Sequence, residues 1–138
     1  MTDLYLGLGS NLGNRELHIR RAVENLARIG VILETAPNYE NNAREFSGPP
    51  FLNTVLRLRT VLTPLELLHA CQQIEVELGR PANHSPLQSR TIDIDLIDWQ
   101  GTTLDTPELV LPHPRALQRD FVQIPLSQLA PAETPRPF

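Results

Sequence analysis

Residues 51–66 read FLNTVLRLRTVLTPLE, and the change of pattern inside them decides the architecture. From Phe51 to Val61, Leu52, Thr54, Leu56 and Leu58 alternate with Asn53, Arg57 and Arg59, a period of two that predicts a strand. Thr63-Pro64-Leu65-Glu66 follows almost at once, combining an N-cap threonine, a proline at the first helical position and a glutamate two residues on, a capping box. The helix it opens carries Leu65, Leu68, Cys71, Ile74 and Leu78 and stops at Gly79. A strand therefore runs directly into a helix.

Upstream, Val31 to Tyr39 (VILETAPNY) begins as a run of β-formers and predicts a second strand, with Glu40 to Pro50 as the loop between the two. Before it, Leu17, Ala22, Val23, Leu26 and Ile29 follow helical spacing from Arg15 onward, with Asn14 as N-cap and Gly30 just past the end. Asp3 to Leu8 (DLYLGL) alternates apolar and small residues, and the turn cluster from Gly9 to Asn14 ends that first strand near Gly9. Downstream, a proline-interrupted loop from Arg80 to Ser89 leads into Thr91 to Trp99 (TIDIDLIDW), a fourth alternating strand. The order β-α-β-β-α-β predicts an α+β, ferredoxin-like antiparallel sheet with both helices on one face. An edge hairpin near Gly101, a Pro-His-Pro segment, a short helical stretch around Ile124 to Leu129 and a proline-rich tail from Ala130 to Phe138 form a C-terminal extension.

With 138 residues, one domain spanning 1–138 is expected. The net charge is −4 and no block of five like charges occurs, so neither nucleic acid nor an anionic membrane is an expected partner. All 12 basic residues are arginine, which excludes a Walker A loop, Schiff-base chemistry and a catalytic lysine. The lone Cys71 has no partner for an intramolecular disulfide, and no apolar run reaches transmembrane length. A cytoplasmic protein, monomeric or weakly homo-oligomeric, is the expectation.

The chemistry concentrates in Arg90-Thr91-Ile92-Asp93-Ile94-Asp95-Leu96. Residues i and i+2 of a strand point the same way, so Asp93 and Asp95 share a face, about 6–7 Å apart. Two carboxylates so placed suit a hard cation such as Mg²⁺, whose shell is completed by water and substrate phosphates. A strand with an acidic solvent face is the plainer alternative. Leu111-Pro112-His113-Pro114-Arg115 and Gln118-Arg119-Asp120-Phe121 add a histidine and two arginines, the latter suited to bidentate phosphate contact. Asp98, three residues past Asp95, is expected on the opposite face unless a bulge intervenes, which leaves a two-metal phosphoesterase cage without its third carboxylate.

Gly9-Ser10-Asn11-Leu12-Gly13, Phe51-Leu52-Asn53, Gln73-Ile74-Glu75, Gly79-Arg80, the Arg90–Leu96 run, and Pro112-His113 with Arg119 and Phe121 occur in that order over nearly the whole chain. The ensemble resembles the 6-hydroxymethyl-7,8-dihydropterin pyrophosphokinase (HPPK) family. The resemblance implies an enzyme of folate biosynthesis that transfers pyrophosphate from ATP to the 6-hydroxymethyl group of a reduced pterin, releasing AMP. It implies two Mg²⁺ ions on Asp93 and Asp95, catalytic and nucleotide contacts from Arg80, Arg90, His113 and Arg119, and further ATP contacts from Gln72 and Glu75. Phe51, Asn53 and Phe121 correspond to the pterin site, two rings sandwiching the bicycle and an amide pairing with its edge.

The chain also departs from the family. Between Arg80 and Arg90 the loop reads Pro81-Ala82-Asn83-His84-Ser85-Pro86-Leu87-Gln88-Ser89, with no internal Lys or Arg and with Leu87 where an aromatic residue is common. Tyr39-Glu40-Asn41-Asn42 stands where the family prefers Tyr-x-Thr-x-Pro. A weaker phosphate clamp is implied, and a divergent paralogue that binds pterin or nucleotide with little transfer is the second reading. Cys71 reads as an inert core residue, and His18 and His69 as solvated.

Overall fold

A computed structural model describes residues 2–41, 50–79, 91–99, 103–114, 119–127 and 129. Its elements are β1 (Thr2–Ser10), α1 (Arg15–Leu26), β2 (Val31–Thr35), β3 (Tyr39–Asn41), β4 (Phe51–Thr60), α2 (Pro64–Glu77), β5 (Asp93–Trp99), β6 (Leu104–Asp105), β7 (Val110–Leu111) and α3 (Asp120–Ser127). The large sheet has the order β2-β4-β1-β5, with β3 also pairing β4, and all these pairings are antiparallel.

Local chemistry explains most boundaries. The Asn14 side chain accepts from the Leu17 N–H at 3.1 Å and starts α1. In the capping box of α2, Thr63 Oγ1 accepts from the Glu66 N–H at 3.2 Å while Glu66 Oε1 accepts from the Thr63 N–H at 2.9 Å. The expected continuous strand from Val31 to Tyr39 is instead two strands. Pro37 has no N–H to give the ladder, and after Ala36 donates to the Val55 carbonyl at 2.9 Å the chain leaves β4 and rejoins it at Tyr39. β1 ends at Ser10, which still pairs with Leu52, in agreement with the end expected near Gly9.

Gly30 is not the left-handed cap of α1 that its position suggested. The helix closes at Ala27 in ordinary helical geometry, and a Cβ on Gly30 would lie 2.6 Å from the Arg59 carbonyl oxygen. Glycine is there for close backbone approach.

The core is one apolar layer between the sheet and α1 and α2. Leu4, Leu6 and Leu8 of β1, Leu56 and Leu58 of β4, and Ile94 and Leu96 of β5 face Ile19, Ala22 and Leu26 of α1 and Leu67, Cys71 and Ile74 of α2. Each such leucine or isoleucine contributes roughly 1.5–3 kcal/mol by leaving water. Leu67 is fully buried, whereas Leu65 and Leu68, expected on that stripe, are only partly so. The buried ridge of α2 runs Leu67-Cys71-Ile74, at i, i+4, i+7.

The other face of the sheet carries a smaller cluster of Tyr5, Ala36, Val55, Ile97, Val122 and Leu129. Val122 belongs to α3, so this third helix covers the face opposite α1 and α2. It begins at Asp120, four residues before the expected helical stretch. The expected hairpin is the β6–β7 pair, Leu104 opposite Leu111 and Asp105 opposite Val110; Gly101 and the tail 130–138 lie outside the described residues.

The β1–β5 register slips by one residue. Leu6 pairs with Leu96 but Tyr5 pairs with Asp98, leaving Ile97 as the extra residue of a β-bulge. Cross-strand partners share a face, so Asp98 lies on the same face as Asp93 and Asp95. The expectation that it points the other way fails because of this bulge.

Candidate active site

The register aligns three strands into rows on the α3 face. Asn53 of β4, Gly9 of β1 and Asp93 of β5 form one row, and Val55, Gly7 and Asp95 form the next. Neighbouring strands are about 4.8 Å apart, so the Cα atoms of Asn53 and Asp93 are separated by about 10 Å across a glycine. A Cβ on Gly9 would sit 3.0 Å from Asn53 Oδ1 and 3.4 Å from the Phe51 ring. Gly9 is therefore a floor over which Asn53 and Phe51 lean, a trough in which any side chain at this position would run into them.

Asn53 is buried. Its Nδ2 donates to the Tyr39 carbonyl at 3.2 Å and to the Phe51 carbonyl at 3.4 Å, which turns Oδ1 over Gly9 as an acceptor. Asp93 and Asp95 are both half-buried. The aspartates put hard oxygen donors on one face, and the glycines opposite them in β1 carry no side chain into the space above. Among the described residues, no group of three His, Cys, Asp or Glu is built to hold a metal. Even with Asp98 on this face, then, a three-carboxylate cage is not formed. A pair of carboxylates on one face fits Mg²⁺ held jointly with phosphate oxygens.

From the far side of the sheet, α2 reaches the outer edge of β5. Glu75 is buried, and its Oε2 accepts from the Ile94 N–H at 2.7 Å, between the two aspartates. One turn earlier, burial and then the negative charges of Glu75 and Asp95 push the Cys71 thiol up to about 12. It is a core residue, as expected, and no nucleophile. Gln72 is exposed on α2, and the structure does not bring it onto the aspartate face.

The His113 N–H donates to the Ile97 carbonyl at 2.6 Å, so the bulge residue holds the segment after β7 against β5. Arg119 is half-buried just before α3, its carbonyl accepting from Val122 at 3.0 Å. Phe121 lies on α3, the helix over this face. Arg80 and Arg90, with the whole of 80–90, lie outside the described residues. Of the other histidines, His69 is exposed and pairs with Glu108 at 3.2 Å, while His18 is half-buried with Nδ1 3.5 Å from Ser10 Oγ.

The sequence profile of 7,8-dihydro-6-hydroxymethylpterin-pyrophosphokinase (HPPK) matches residues 5–131. The chain belongs to the HPPK family. A 2-amino-4-hydroxy-6-hydroxymethyldihydropteridine pyrophosphokinase of Porphyromonas gingivalis is 45% identical over 99% of both chains. Its Bacillus subtilis counterpart is 38% identical over 91% of this chain and 76% of its own. The HPPK-DHPS crystal structure from Plasmodium falciparum superposes with a TM-score of 0.66 at 14% identity, over 95% of this chain and 40% of that one, a likeness of fold. As an HPPK, the chain is an enzyme of folate biosynthesis, a pyrophosphokinase.

Two features of this candidate site were not read from the sequence. The spacing of Gly7 and Gly9 in an alternating strand was a usable signal, since it puts two positions without Cβ on one face. The bulge at Ile97 left no local signal, for its register is set by the partner strand.

Proposed function

We propose that the enzyme binds a 6-hydroxymethyl-7,8-dihydropterin over Gly9, with Asn53 Oδ1 pairing the donor edge of the ring and Phe51 and Phe121 as the aromatic walls. The row Asn53–Gly9–Asp93 carries this reading. It sets Asn53 and Asp93 on either side of Gly9, their Cα atoms about 10 Å apart, so that a flat bicycle held at Asn53 would direct its hydroxymethyl arm toward the aspartates.

Asp93 and Asp95 would hold two Mg²⁺ ions with the triphosphate of ATP, and bound Mg²⁺ neutralises charge on the phosphoryl oxygens. The hydroxymethyl oxygen attacks the β-phosphorus, the bond from that phosphorus to the oxygen bridging to the α-phosphate breaks, and AMP leaves while the hydroxyl proton is released. The chain aligns the two substrates and offers cations to the oxygens that gain charge. His113, held through its backbone at Ile97, and Arg119, just before α3, are assigned to that role together with Arg80 and Arg90, whereas Gln72 and Glu75, on α2 and away from the aspartate face, would meet only a part of the nucleotide remote from the metal pair. Residues 1–138 act as one domain, and we read the strand order as the ferredoxin-like arrangement. A cytoplasmic, monomeric or weakly associating enzyme fits one buried thiol and a net charge of −4.

Identity of 45% along the full length to a named pyrophosphokinase favours transfer over a relative that only binds. Single-turnover mixing of enzyme with ATP, Mg²⁺ and the hydroxymethyl pterin tests it. AMP and pyrophosphorylated pterin in equal amounts are expected. ADP as the nucleotide product, or no AMP at all, overturns the assignment.

A further inference from the structure

Arg15 is the first residue of α1, where the partial positive charge of the helix N-terminus disfavours a cation. Something outside the helix must offset that. Its guanidinium Nη1 donates to the Pro50 carbonyl at 2.9 Å, and Nη2 meets Glu40 Oε2 at 3.4 Å. Glu40 belongs to β3, and Pro50 immediately precedes β4. One planar fork therefore holds the two strands at the end where Phe51 emerges.

Those two strands orient the Asn53 amide. β3 has only three residues, too short to hold its place by ladder bonds alone, and it pairs Tyr39 with Asn53, Glu40 with Leu52 and Asn41 with Phe51. Asn53 Nδ2 donates to the carbonyls of Tyr39, on β3, and Phe51, on β4. A shift of β3 against β4 thus turns Asn53 Oδ1 away from the trough over Gly9. The aspartates stand on β5, at the other side of β1.

We infer that Arg15 is a positioning residue for the pterin half of the site, acting through Pro50 and Glu40 on Asn53; this rests on the reading that Asn53 and Phe51 face the pterin. The test measures KM for pterin, KM for ATP, kcat and melting temperature in Arg15→Ala, Arg15→Lys, Glu40→Gln and Asn53→Ala. Arg15→Ala is expected to raise the pterin KM about 10-fold and leave the ATP KM within about 2-fold, the size of effect that follows from misplacing one binding group. Arg15→Lys, keeping one of two donors, restores part of the loss. Glu40→Gln, which leaves the Pro50 contact intact, raises the pterin KM about 2- to 3-fold and serves if Arg15→Ala does not fold. Equal changes in both KM values, or none, in Arg15→Ala and Glu40→Gln overturn the inference while Asn53→Ala still weakens pterin. If Asn53→Ala leaves pterin binding unchanged, the reading of the trough falls and the inference falls with it.

Discussion

Glu75 Oε2 accepts the backbone N–H of Ile94 at 2.7 Å, so a helix on one face of the sheet holds the strand whose other face presents Asp93 and Asp95. β5 is the last strand of the sheet among the described residues, and an edge strand leaves alternate N–H groups without a ladder partner. Glu75 supplies that partner in a buried place, fixing the backbone between the two carboxylates.

Glu75→Ala should therefore leave the Ile94 N–H orphaned and cost about 1–3 kcal/mol. The fall in melting temperature should be several degrees, and hydrogen exchange at the Ile94 amide should accelerate. Glu75→Gln keeps a carbonyl acceptor and should retain most of the protection. Equal protection of that amide in wild type and Glu75→Ala would contradict the role.

Asp93→Ala and Asp95→Ala should each lower the transfer rate by about 10²-fold or more, because the developing phosphoryl charge loses its main source of neutralisation. Folding should be little changed, since burial on β5 comes from Ile94 and Leu96 on the helix side. Single-turnover AMP formation alongside thermal unfolding checks both halves. Near-normal AMP formation in either variant would remove the aspartates from the reaction.

Two glycine substitutions should separate site from scaffold. Gly9→Ala places a methyl 3.0 Å from Asn53 Oδ1 and 3.4 Å from the Phe51 ring, and should weaken pterin about 10-fold with only a small loss of stability. Gly30→Ala places one 2.6 Å from the Arg59 backbone oxygen, and should cost about 1–3 kcal/mol through forced backbone movement. Its ligand affinities, measured by calorimetry on the folded protein, should match wild type. A pterin defect in Gly30→Ala equal to that of Gly9→Ala would show that the trough is not local.

The Cys71 thiol is held at about 12 by burial first and then by Glu75 and Asp95, against an ordinary 9.0. On raising the pH the unfolded chain releases this proton first, so its contribution to stability is complete below pH 9 and is lost between about pH 9 and 12. Denaturant midpoints should fall over that window in wild type, and Cys71→Ala, less stable throughout, should lack this component of the slope. At pH 8 a thiol-specific disulfide reagent should leave the native protein unmodified and react on denaturation. Rapid native labelling at pH 8 would contradict this environment.

Much of the fold was legible because its signals are local. The capping box at Thr63–Glu66, the Asn14 cap and the period of two in residues 51–61 act over a few residues, and each reappears as a helix start or a strand. The Asp93/Asp95 pair was legible for the same reason, since i and i+2 share a face in any regular strand. Where a partner strand or helix sets the outcome, the reading went astray. Pro37 split one expected strand in two, Gly30 served backbone contact rather than a cap, and the buried ridge of α2 ran through Leu67.

The sequence by itself determined the order of elements, the carboxylate pair and, through its spaced motifs, the family, because periodicity, capping and motif spacing are properties of the chain alone. Only the tertiary structure decided that Gly9 lies between Asn53 and Asp93, that a bulge at Ile97 turns Asp98 onto their face and carries His113, and that Arg15 grips Pro50 and Glu40. These depend on strand register and close approach between segments far apart in sequence. Register is chosen by the burial of whole faces, and no short stretch of the chain contains that information.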